Sequence, residues 1–567
     1  MDFSRLRYEL SGDLYTDDKQ RILYATDASS YRELPVAVTR PASSEDIRKI
    51  IRFAAANGSS VIPRGAGTSL AGQVVGSGIV VDVSKYMNRI LELNTEERWV
   101  RVEPGVILAE LNLYLARYGL LFGPETSTAS RCCMAGMLGN NSCGLHSIIY
   151  GSVRDHILEA EVVLADGSEV TFKALSADEF NAKCNGDPEL SETRIYQNIR
   201  DILGDSSTRQ KIRDSFPHPE LKRRNNGYAV DSLMDTDPFI NNGVRINLCK
   251  VLAGSEGTLA FTTSMKLNLI PIPVKKTGLI CAHFTGLDEA LKANILILKH
   301  QPAAIELIDD FILNCTKDNI EQSRNRFFIK GEPAVILIVE LLCDSDEELK
   351  SAAAAIENEL SSSGLGYHFP FYADSQDIQR VWDLRKAGLG VLLNIPGERR
   401  SVQVIEDTSV LPEYLPAYIA EFEQILKKYN LNCSYYAHVA TGELHLSPLL
   451  NLRDSTDVGI YRDLATDVAH LVKKYKGSLS GEHGDGRLRG EFIPLMFGNQ
   501  IYGIFRDFKK CWDPLNIMNP GKIIDTPPMD TGLRYRVGEE LIPLKTVFRF
   551  AEKGTLLFEA EKCSGSG

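Results

Sequence analysis

From Gly123 to Ser152 the chain reads GPETSTASRCCMAGMLGNNSCGLHSIIYGS, thirty residues with little periodicity inside a region that otherwise alternates strand and helix. Gly136, Gly139, Gly144 and Gly151 are set among serine, threonine and asparagine. Ordered loops of this length are uncommon in a folded region and are usually functional. Two shorter stretches share its character. PRGAGTSLAGQ (Pro63–Gln73) has glycines at 65 and 67 that let backbone N–H groups turn toward a phosphate, with Arg64 adding charge. It is not a Walker loop, since no Gly-Lys-Ser/Thr follows, and its third glycine is misplaced for the dinucleotide fingerprint. Alone it reads more readily as a tight turn. LAGSEGTLAF (Leu252–Phe261) adds Gly254 and Gly257. Three polar glycine-rich loops in one α/β lobe fit a large, extended, phosphate-containing cofactor.

The elements around these loops set the architecture. At 567 residues the chain is too long for one core. Residues 36–83 parse as strand, helix, strand, glycine loop, strand. The helix has Ser43 or Ser44 as N-cap, Glu45 and Asp46 in its first turn, and an apolar stripe of Ile47, Ile50, Ile51, Phe53 and Ala54; Asn57-Gly58 stops it. RWVRVEPGV and ILAELNLYLARYG give a second strand and helix, and ILEAEVVLADGSEVTF a hairpin turning at Asp166-Gly167. Residues 276–450 instead repeat strand–helix–strand three times, the third unit opening with RSVQVIEDTSV, which predicts an antiparallel sheet with helices on one face. Residues 451–525 read as helical at both ends around SLSGEHGDGR. The fold class is therefore α+β.

Charge and composition exclude some functions. The net charge of −12 without a basic block argues against nucleic acid. AVILIVELLC is interrupted by Glu340 and reads as a buried strand, so no transmembrane segment is expected. MDFSRLRYEL lacks the apolar core of a signal peptide, which makes the cytoplasm the default location, with a peripheral place at the inner membrane allowed. The eleven scattered cysteines, none in a Cys-x-x-Cys pair, are expected to be reduced and mostly buried.

A second constellation pairs AHVATGELHLSP (Ala437–Pro448) with GEHGDGR (Gly481–Arg487). Three of the ten histidines, His438, His445 and His483, lie in these two segments. Gly442 and the β-branched Val439 and Thr441 argue against one helix, and a turn between them brings His438 and His445 together. With Glu482 they make a divalent-metal set that leaves positions open for substrate. The residues alone favour ordinary hydrogen-bonded histidines over a metal site.

Taken in order, PRGAGTSLAGQ, the PETSTAS…NNSCG stretch and GSEGTLAF resemble the FAD domain of the vanillyl-alcohol oxidase/p-cresol methylhydroxylase superfamily. The nearer likeness is to its D-lactate, D-2-hydroxyglutarate dehydrogenase and glycolate oxidase-like branch, over roughly residues 20–525. The resemblance implies a p-cresol methylhydroxylase-type FAD-binding domain (1–275), an antiparallel substrate or cap domain (276–450), a helical segment completing the site (451–525) and a connector (526–567). It implies FAD held by Pro63, Arg64, Gly65, Ala66, Gly67, Thr68 and Ser69, by Pro124, Glu125, Thr128, Gly136, Gly139, Asn140, Asn141, Gly144 and Gly151, and near Glu256 and Gly257. Covalently flavinylated relatives have histidine where this chain has Thr68, so noncovalent FAD is expected. His438, His445 and Glu482 fall on the branch's metal ligands, usually for zinc, and His483 on its candidate base. Arg385, in VWDLRKAGLG, matches an arginine that clamps the substrate carboxylate; otherwise it would read as an exposed helical arginine. RRNNGY (Arg223–Tyr228) resembles a segment near the flavin.

The reaction so implied oxidises a 2-hydroxy acid to the 2-oxo acid. The C2 hydrogen goes to flavin N5 as hydride, the hydroxyl proton goes to a base, and a non-NAD acceptor takes the electrons. Two departures bear on the substrate. Ile405 stands about where the 2-hydroxyglutarate enzyme has a lysine for the distal carboxylate, and Ser447 stands for its asparagine. D-lactate, D-2-hydroxyglutarate and glycolate-like acids therefore all stay open. Rival readings are an FAD-dependent alkyl-transfer synthase on the same fold, a metal hydrolase, and a binding protein without flavin. The flavoenzyme pattern closes near Ile524. EKCSGSG at 561–567 resembles the start of an iron–sulfur segment, so the clusters are expected in a missing domain or a partner protein, as in a truncated chain or a split gene. One cysteine, Cys563, cannot hold a cluster, and read alone the tail is a disordered stub. A homodimer is allowed.

Overall fold

A computed structural model describes residues 1–317, 319–392 and 398–539, together with positions 547, 556 and 560. Cys563 and the EKCSGSG stretch lie outside the described residues. The ten described cysteines are free thiols. Among the described residues, no helix is long and apolar enough to cross a membrane.

The N-terminal part is built on two sheets. The first orders its strands β1 (Asp13–Tyr15), β2 (Ala37–Arg40), β4 (Ile79–Asp82) and β3 (Val61–Arg64), with β4 parallel to both β2 and β3. Helix α1 (Ser44–Ala56) makes the crossover from β2 to β3. Ser43 caps it by accepting from the Asp46 amide, and Ile47, Ile50, Ile51 and Ala54 are its buried stripe, with Phe53 at the margin. The second sheet runs β5 (Ile90–Asn94), β6 (Trp99–Val102), β9 (Phe261–Asn268), β7 (Ile157–Val163) and β8 (Glu169–Lys173), all antiparallel. Asp166-Gly167 turns β7 into β8, with Gly167 at φ +81°. Helix α2 (Leu108–Ala116) follows β6. The stretch expected to be one long loop between α2 and β7 holds a two-turn helix, α3 (Met134–Asn140), and two single turns, Ser147–Tyr150 and Val153–His156. Met134, Met137 and Leu138 anchor α3 in the core, which a glycine-diluted sequence hides from a periodicity count.

Residues 276–450 form an eight-stranded sheet in which every pairing is antiparallel. Its elements are β10 (Lys276–Phe284), α4 (Leu287–Leu298), β11 (Ala304–Asp309), α5 (Asp310–Cys315), β12 (Val335–Cys343), α6 (Asp346–Ser362), β13 (Phe371–Tyr372), α7 (Ser375–Leu392), β14 (Arg400–Ser401), β15 (Thr408–Ser409), α8 (Leu415–Lys428), β16 (Cys433–His438) and β17 (Glu443–Leu450). The order is β13-β10-β12-β11-β16-β17-β14, with β15 also on β17.

Helices cover both faces rather than one. Ile280, Ala282, Leu337 and Val339 share a core with Ala290, Leu291 and Ile356 of α4 and α6. The alternate positions Leu279, Cys281, Ile336 and Ile338 pack with Ile312, Val381, Trp382 and Leu384 of α5 and α7. A sheet buried on both sides reads as continuous apolar runs, so the second layer of helices leaves no alternation in the sequence. RSVQVIEDTSV is the other correction. It is a buried irregular segment with strand pairing only at its ends, 400–401 and 408–409.

The C-terminal part adds α9 (Ser455–Lys474) and α10 (Ile493–Trp512), helical at both ends as expected. Between them, residues 475–486 run into the space between the large sheet and the glycine loops. Beyond the last helix, residues 526–539 pack against residues 27–33. Tyr31 pairs with Leu533, the Tyr31 hydroxyl donates to the Met529 carbonyl at 2.7 Å, and the Arg534 amide donates to Ser30 at 2.7 Å. Residues 526–539 are thus ordered packing.

Candidate active site

The β16–β17 hairpin places the first two histidines. Its register pairs Tyr436 with His445 and His438 with Glu443, so all four side chains leave one face of the sheet. The turn closes through Gly442 at φ +76°, where a Cβ would collide with the Val410 carbonyl. The rings of His438 and His445 meet edge-on with centroids 5.1 Å apart.

Glu482 and His483 arrive on the segment after α9, which is tied down along its length. Asp407 accepts the amides of Glu482 at 3.0 Å and His483 at 2.8 Å. Asn226, of the RRNNGY segment, accepts the amides of Leu479 and Ser480. Glu256, itself at φ +55°, accepts those of Asp485 at 2.7 Å and Gly486 at 3.0 Å. The Asn140 amide group donates to the Glu482 carbonyl at 2.7 Å. Gln73 donates to both Asn140 and the His483 carbonyl. The three glycine-rich stretches and the two histidine segments are therefore one assembly.

At its centre the Nε2 atoms of His438, His445 and His483 lie 3.6, 3.7 and 3.9 Å from Oε1 of Glu482. Each ring is fixed from behind at Nδ1, His438 by Glu306 at 2.8 Å, His445 by the Glu406 carbonyl at 2.8 Å and His483 by the Glu406 carboxylate at 3.1 Å. Metal-ligating histidines are oriented in this way. One ligand atom each from His438, Glu443, His445 and Glu482 fits within 4.8 Å of all the others, so the donor set suits a cation.

The charges are distributed unevenly. Burial and the neighbouring His438 and His483 push His445 down to about 3, which keeps it a neutral nitrogen donor. Burial works against the imidazolium of His483, yet Asp407 and Glu406 outweigh it and hold His483 at about 9. Arg223 is shared by Glu443 and Glu482, reaching Glu482 Oε2 at 2.8 Å. Of these two carboxyls, fully buried Glu443 is pushed well up, by burial first and then by Glu482 and Asp407. Glu482 is held well down, because Arg223 and the histidines overcome its burial. Arg489 spans the Glu406 carboxylate and the Gly484 carbonyl.

Arg385 lies in this region, buried rather than exposed. It pairs with Glu306, its guanidinium carbon lies 3.1 Å from the centroid of the Tyr436 ring, and its Nε has no partner among the described residues.

The glycine loops border the same region. Gly65 packs on Cys133, and Pro63 lies under Gly257, where φ is +68°. The backbone N–H groups of Gly67, Thr68 and Ser69 find no acceptor among the described residues, and Gly67 takes φ +71°. Ala66, Thr68 and Ser69 are partly exposed, as are Glu125 and Thr128. Gly136 and Gly139 leave bare backbone on α3, since a Cβ at Gly136 would meet nothing within 4 Å and one at Gly139 would be 3.8 Å from the nearest atom. Successive free N–H groups beside a glycine surface fit the pyrophosphate of a dinucleotide. Arg64 is directed elsewhere: it donates to the Thr26 carbonyl at 2.8 Å, sits over the Tyr24 ring and is drawn to Asp27 and Asp82. The remaining second-loop residues serve mainly as supports. Asn141 accepts the Arg154 amide, Gly144 packs on the Glu125 carbonyl, Gly151 packs on Asp155, and Pro124 is buried.

Glu306, Glu406, Asp407, Glu443 and Arg489 were not expected, and Arg223 was given no clear part. The available signal was charge inside apolar sequence, as in AAIELID and VQVIEDTSV. Such residues are almost never fully buried unless paired.

The family model "FAD binding domain" matches residues 35–173, and "FAD linked oxidases, C-terminal domain" matches residues 274–523. The chain is 34% identical to the D-2-hydroxyglutarate dehydrogenase of Escherichia coli K12 over 532 residues, 92% of this chain and 51% of that protein. It therefore spans about half the length of that relative. It is 23% identical to glycolate oxidase subunit GlcD of Bacillus subtilis, covering 91% of this chain and 95% of GlcD. Among solved structures, p-cresol methylhydroxylase with substrate bound aligns over 92% of this chain and 96% of that one, at a TM-score of 0.64 and 13% identity. Alkyldihydroxyacetonephosphate synthase aligns at a TM-score of 0.57 and 16% identity, over 90% of this chain and 82% of that one. At those identities the likeness is one of fold. The chain thus carries an FAD-binding domain over residues 35–173 followed by the C-terminal domain of the FAD-linked oxidases over residues 274–523, on the fold of p-cresol methylhydroxylase.

Proposed function

We propose that this chain is an FAD-dependent dehydrogenase that oxidises a 2-hydroxy acid to the 2-oxo acid and passes the electrons to an acceptor other than NAD. The observation that carries the reading is the convergence of three Nδ1-anchored imidazoles on Glu482 beside the FAD-binding loops. FAD is held noncovalently at the 63–69 loop, the face of α3 and the Glu256–Gly257 turn, and supplies the hydride acceptor when bound. His438, His445 and Glu482 hold a divalent cation such as zinc. A cation there would polarise the substrate hydroxyl and, as a nearby positive charge, favour the neutral His483 imidazole that a base requires. His483 then accepts the hydroxyl proton, with Glu406 and Asp407 steadying the imidazolium that forms. Arg385, whose Nε has no partner among the described residues, binds the substrate carboxylate.

The name of the 34%-identical relatives puts D-2-hydroxyglutarate first among substrates to try. Ile405 argues for a different distal contact, because it is fully buried in apolar core and offers no charge to a second carboxylate. The acceptor is a quinone, a cytochrome, an electron-transfer flavoprotein or an iron–sulfur protein, and the chain works in the cytoplasm.

Anaerobic mixing of the FAD-loaded protein with D-2-hydroxyglutarate, D-lactate, glycolate and the L-acids tests the reading. At least one acid should bleach the oxidised-flavin band. Bleaching by none of them overturns it. Glu482→Gln should keep its flavin and lose its divalent metal by elemental analysis.

A further inference from the structure

Glu306 occupies a junction that no motif announces. It stands on β11, only 1% exposed, one residue before the Leu307–Ala437 pairing with β16. Oε1 faces His438 Nδ1 at 2.8 Å, and Oε2 takes Arg385 Nη2. One carboxylate therefore braces both a ligand of the cation site and the arginine assigned to the substrate carboxylate. Each group has a second, outward side. His438 presents Nε2 toward Glu482 at 3.6 Å, and Arg385 keeps a buried Nε without a partner among the described residues. Among the described residues, the Arg385 guanidinium is held otherwise by the Tyr436 ring and a long contact of 3.4 Å to the Ala437 carbonyl.

A brace shared in this way transmits charge. When a ligand carboxylate draws on Arg385, less of the Glu306 charge is spent on the guanidinium and more on His438 Nδ1–H, which makes Nε2 a better donor to a cation. In the other direction, a cation on Nε2 strengthens the Nδ1–H bond to Glu306 and loosens its hold on Arg385, which is then freer for a carboxylate. We infer that Glu306 is a positioning residue that couples the two halves of the site, so that divalent cation and carboxylate ligand each tighten the other's binding. The inference rests on the 2-hydroxyacid reading above.

The test is a Zn²⁺ titration of the FAD-loaded, chelator-stripped protein, read by competition with a metal-sensitive dye. It is run alone and with saturating 2-oxo acid: 2-oxoglutarate or pyruvate, whichever is the product of the acid that bleaches the flavin. In the unaltered protein the oxo acid should tighten Zn²⁺ binding by a factor within the usual coupling range of about 5–150. Glu306→Gln should bind Zn²⁺ about 10–100-fold more weakly, as expected for loss of a ligand's anchoring partner. Its Zn²⁺ affinity should also ignore the oxo acid. Glu306→Asp should recover part of the coupling, which a merely structural role would not require. If Glu306→Gln does not fold, Arg385→Lys serves instead, with near-normal Zn²⁺ affinity but weakened coupling. Coupling that persists in Glu306→Gln would mean the oxo acid acts by ligating the metal directly, and would overturn the inference. So would an unaltered protein that binds Zn²⁺ without responding to the oxo acid, although flavin bleaching would then still stand. No Zn²⁺ binding by the unaltered protein would remove the metal from the proposed function and this inference with it.

Discussion

Arg223 shows how far a single side chain can organise the site. It is 1% exposed, and its guanidinium reaches Ser147 Oγ at 3.0 Å, the Gly144 carbonyl at 2.6 Å, Glu443 and Glu482. By engaging Oε2 of Glu482 it leaves Oε1 to the imidazoles. Removing one member of a buried charge group strands the others at a cost of about 3–5 kcal/mol. Arg223→Met should therefore lower the unfolding free energy, read by urea denaturation at neutral pH, by that order. The sign of the pH dependence follows from Glu482, whose carboxyl lies below its ordinary value in the folded protein despite burial, largely through Arg223. A depressed carboxyl stabilises the fold above its unfolded pKa and loses that contribution as pH falls through the folded value. The gap between the two proteins should be widest at pH 7 and narrow below about 4.5. A gap that stayed constant or grew on acidification would contradict this account. In the sequence, Arg223 could be noticed only within RRNNGY. Its partners are remote in the chain, and nothing local encodes a pairing across 220 residues.

At the scale of elements, what could be read in advance was what local chemistry decides. Helix α1 shows its apolar stripe, its serine cap and its Asn-Gly stop in consecutive residues, and it forms between those signals. Residues 402–407 were misread because Val402, Val404 and Ile405 give the apolar profile of a strand. Their neighbours Glu406 and Asp407 instead take hydrogen bonds from His445, Arg489, the Ser480 hydroxyl and the backbone amides of Glu482 and His483. Two histidines seven apart could be seen to need a turn, and the turn depends on one residue. Gly442→Ala would combine a positive φ that L-residues resist by roughly 1–2 kcal/mol with a collision against the Val410 carbonyl. The variant should lose more than about 2 kcal/mol and bind Zn²⁺ poorly, since His438 and His445 lie on either side of the turn. Gly459→Ala is the matching control. It sits on the exposed side of α9, where a Cβ meets nothing within 4 Å, and should stabilise the protein by roughly 0.5–1 kcal/mol. Equal effects of the two substitutions in urea denaturation would refute the local account.

At the scale of the whole molecule, the C-terminal family match stops at residue 523, but the packing that bears on the first glycine loop does not. After positive-φ turns at Ile523 and Asp525, residues 526–539 cross to the other end of the sequence. Gly532 accepts the Arg32 amide at 2.8 Å, Met529 accepts the Tyr31 hydroxyl, and the Arg534 guanidinium donates to the Asp27 carbonyl. Residues 27–33 in turn hold the first glycine loop, because the Ala28 amide donates to Gly67 at 3.1 Å and Glu33 pairs with Arg487, whose amide is bonded to Ala71. The clasp thus reaches the free N–H groups of Gly67, Thr68 and Ser69 through two layers of contacts. Each hydrogen bond contributes about 0.5–1.5 kcal/mol net, and the loop would relax in part once released. A chain ended after Asp525 should therefore fold, yet hold FAD more weakly by about 1–2 kcal/mol, or roughly 5–30-fold. Flavin fluorescence on dilution measures this directly. Tyr31→Phe, which removes the Met529 bond and leaves the backbone pairing of the clasp in place, should shift FAD binding in the same direction by a smaller factor. Unchanged FAD retention in the shortened chain would show that residues 27–33 hold the loop without the clasp.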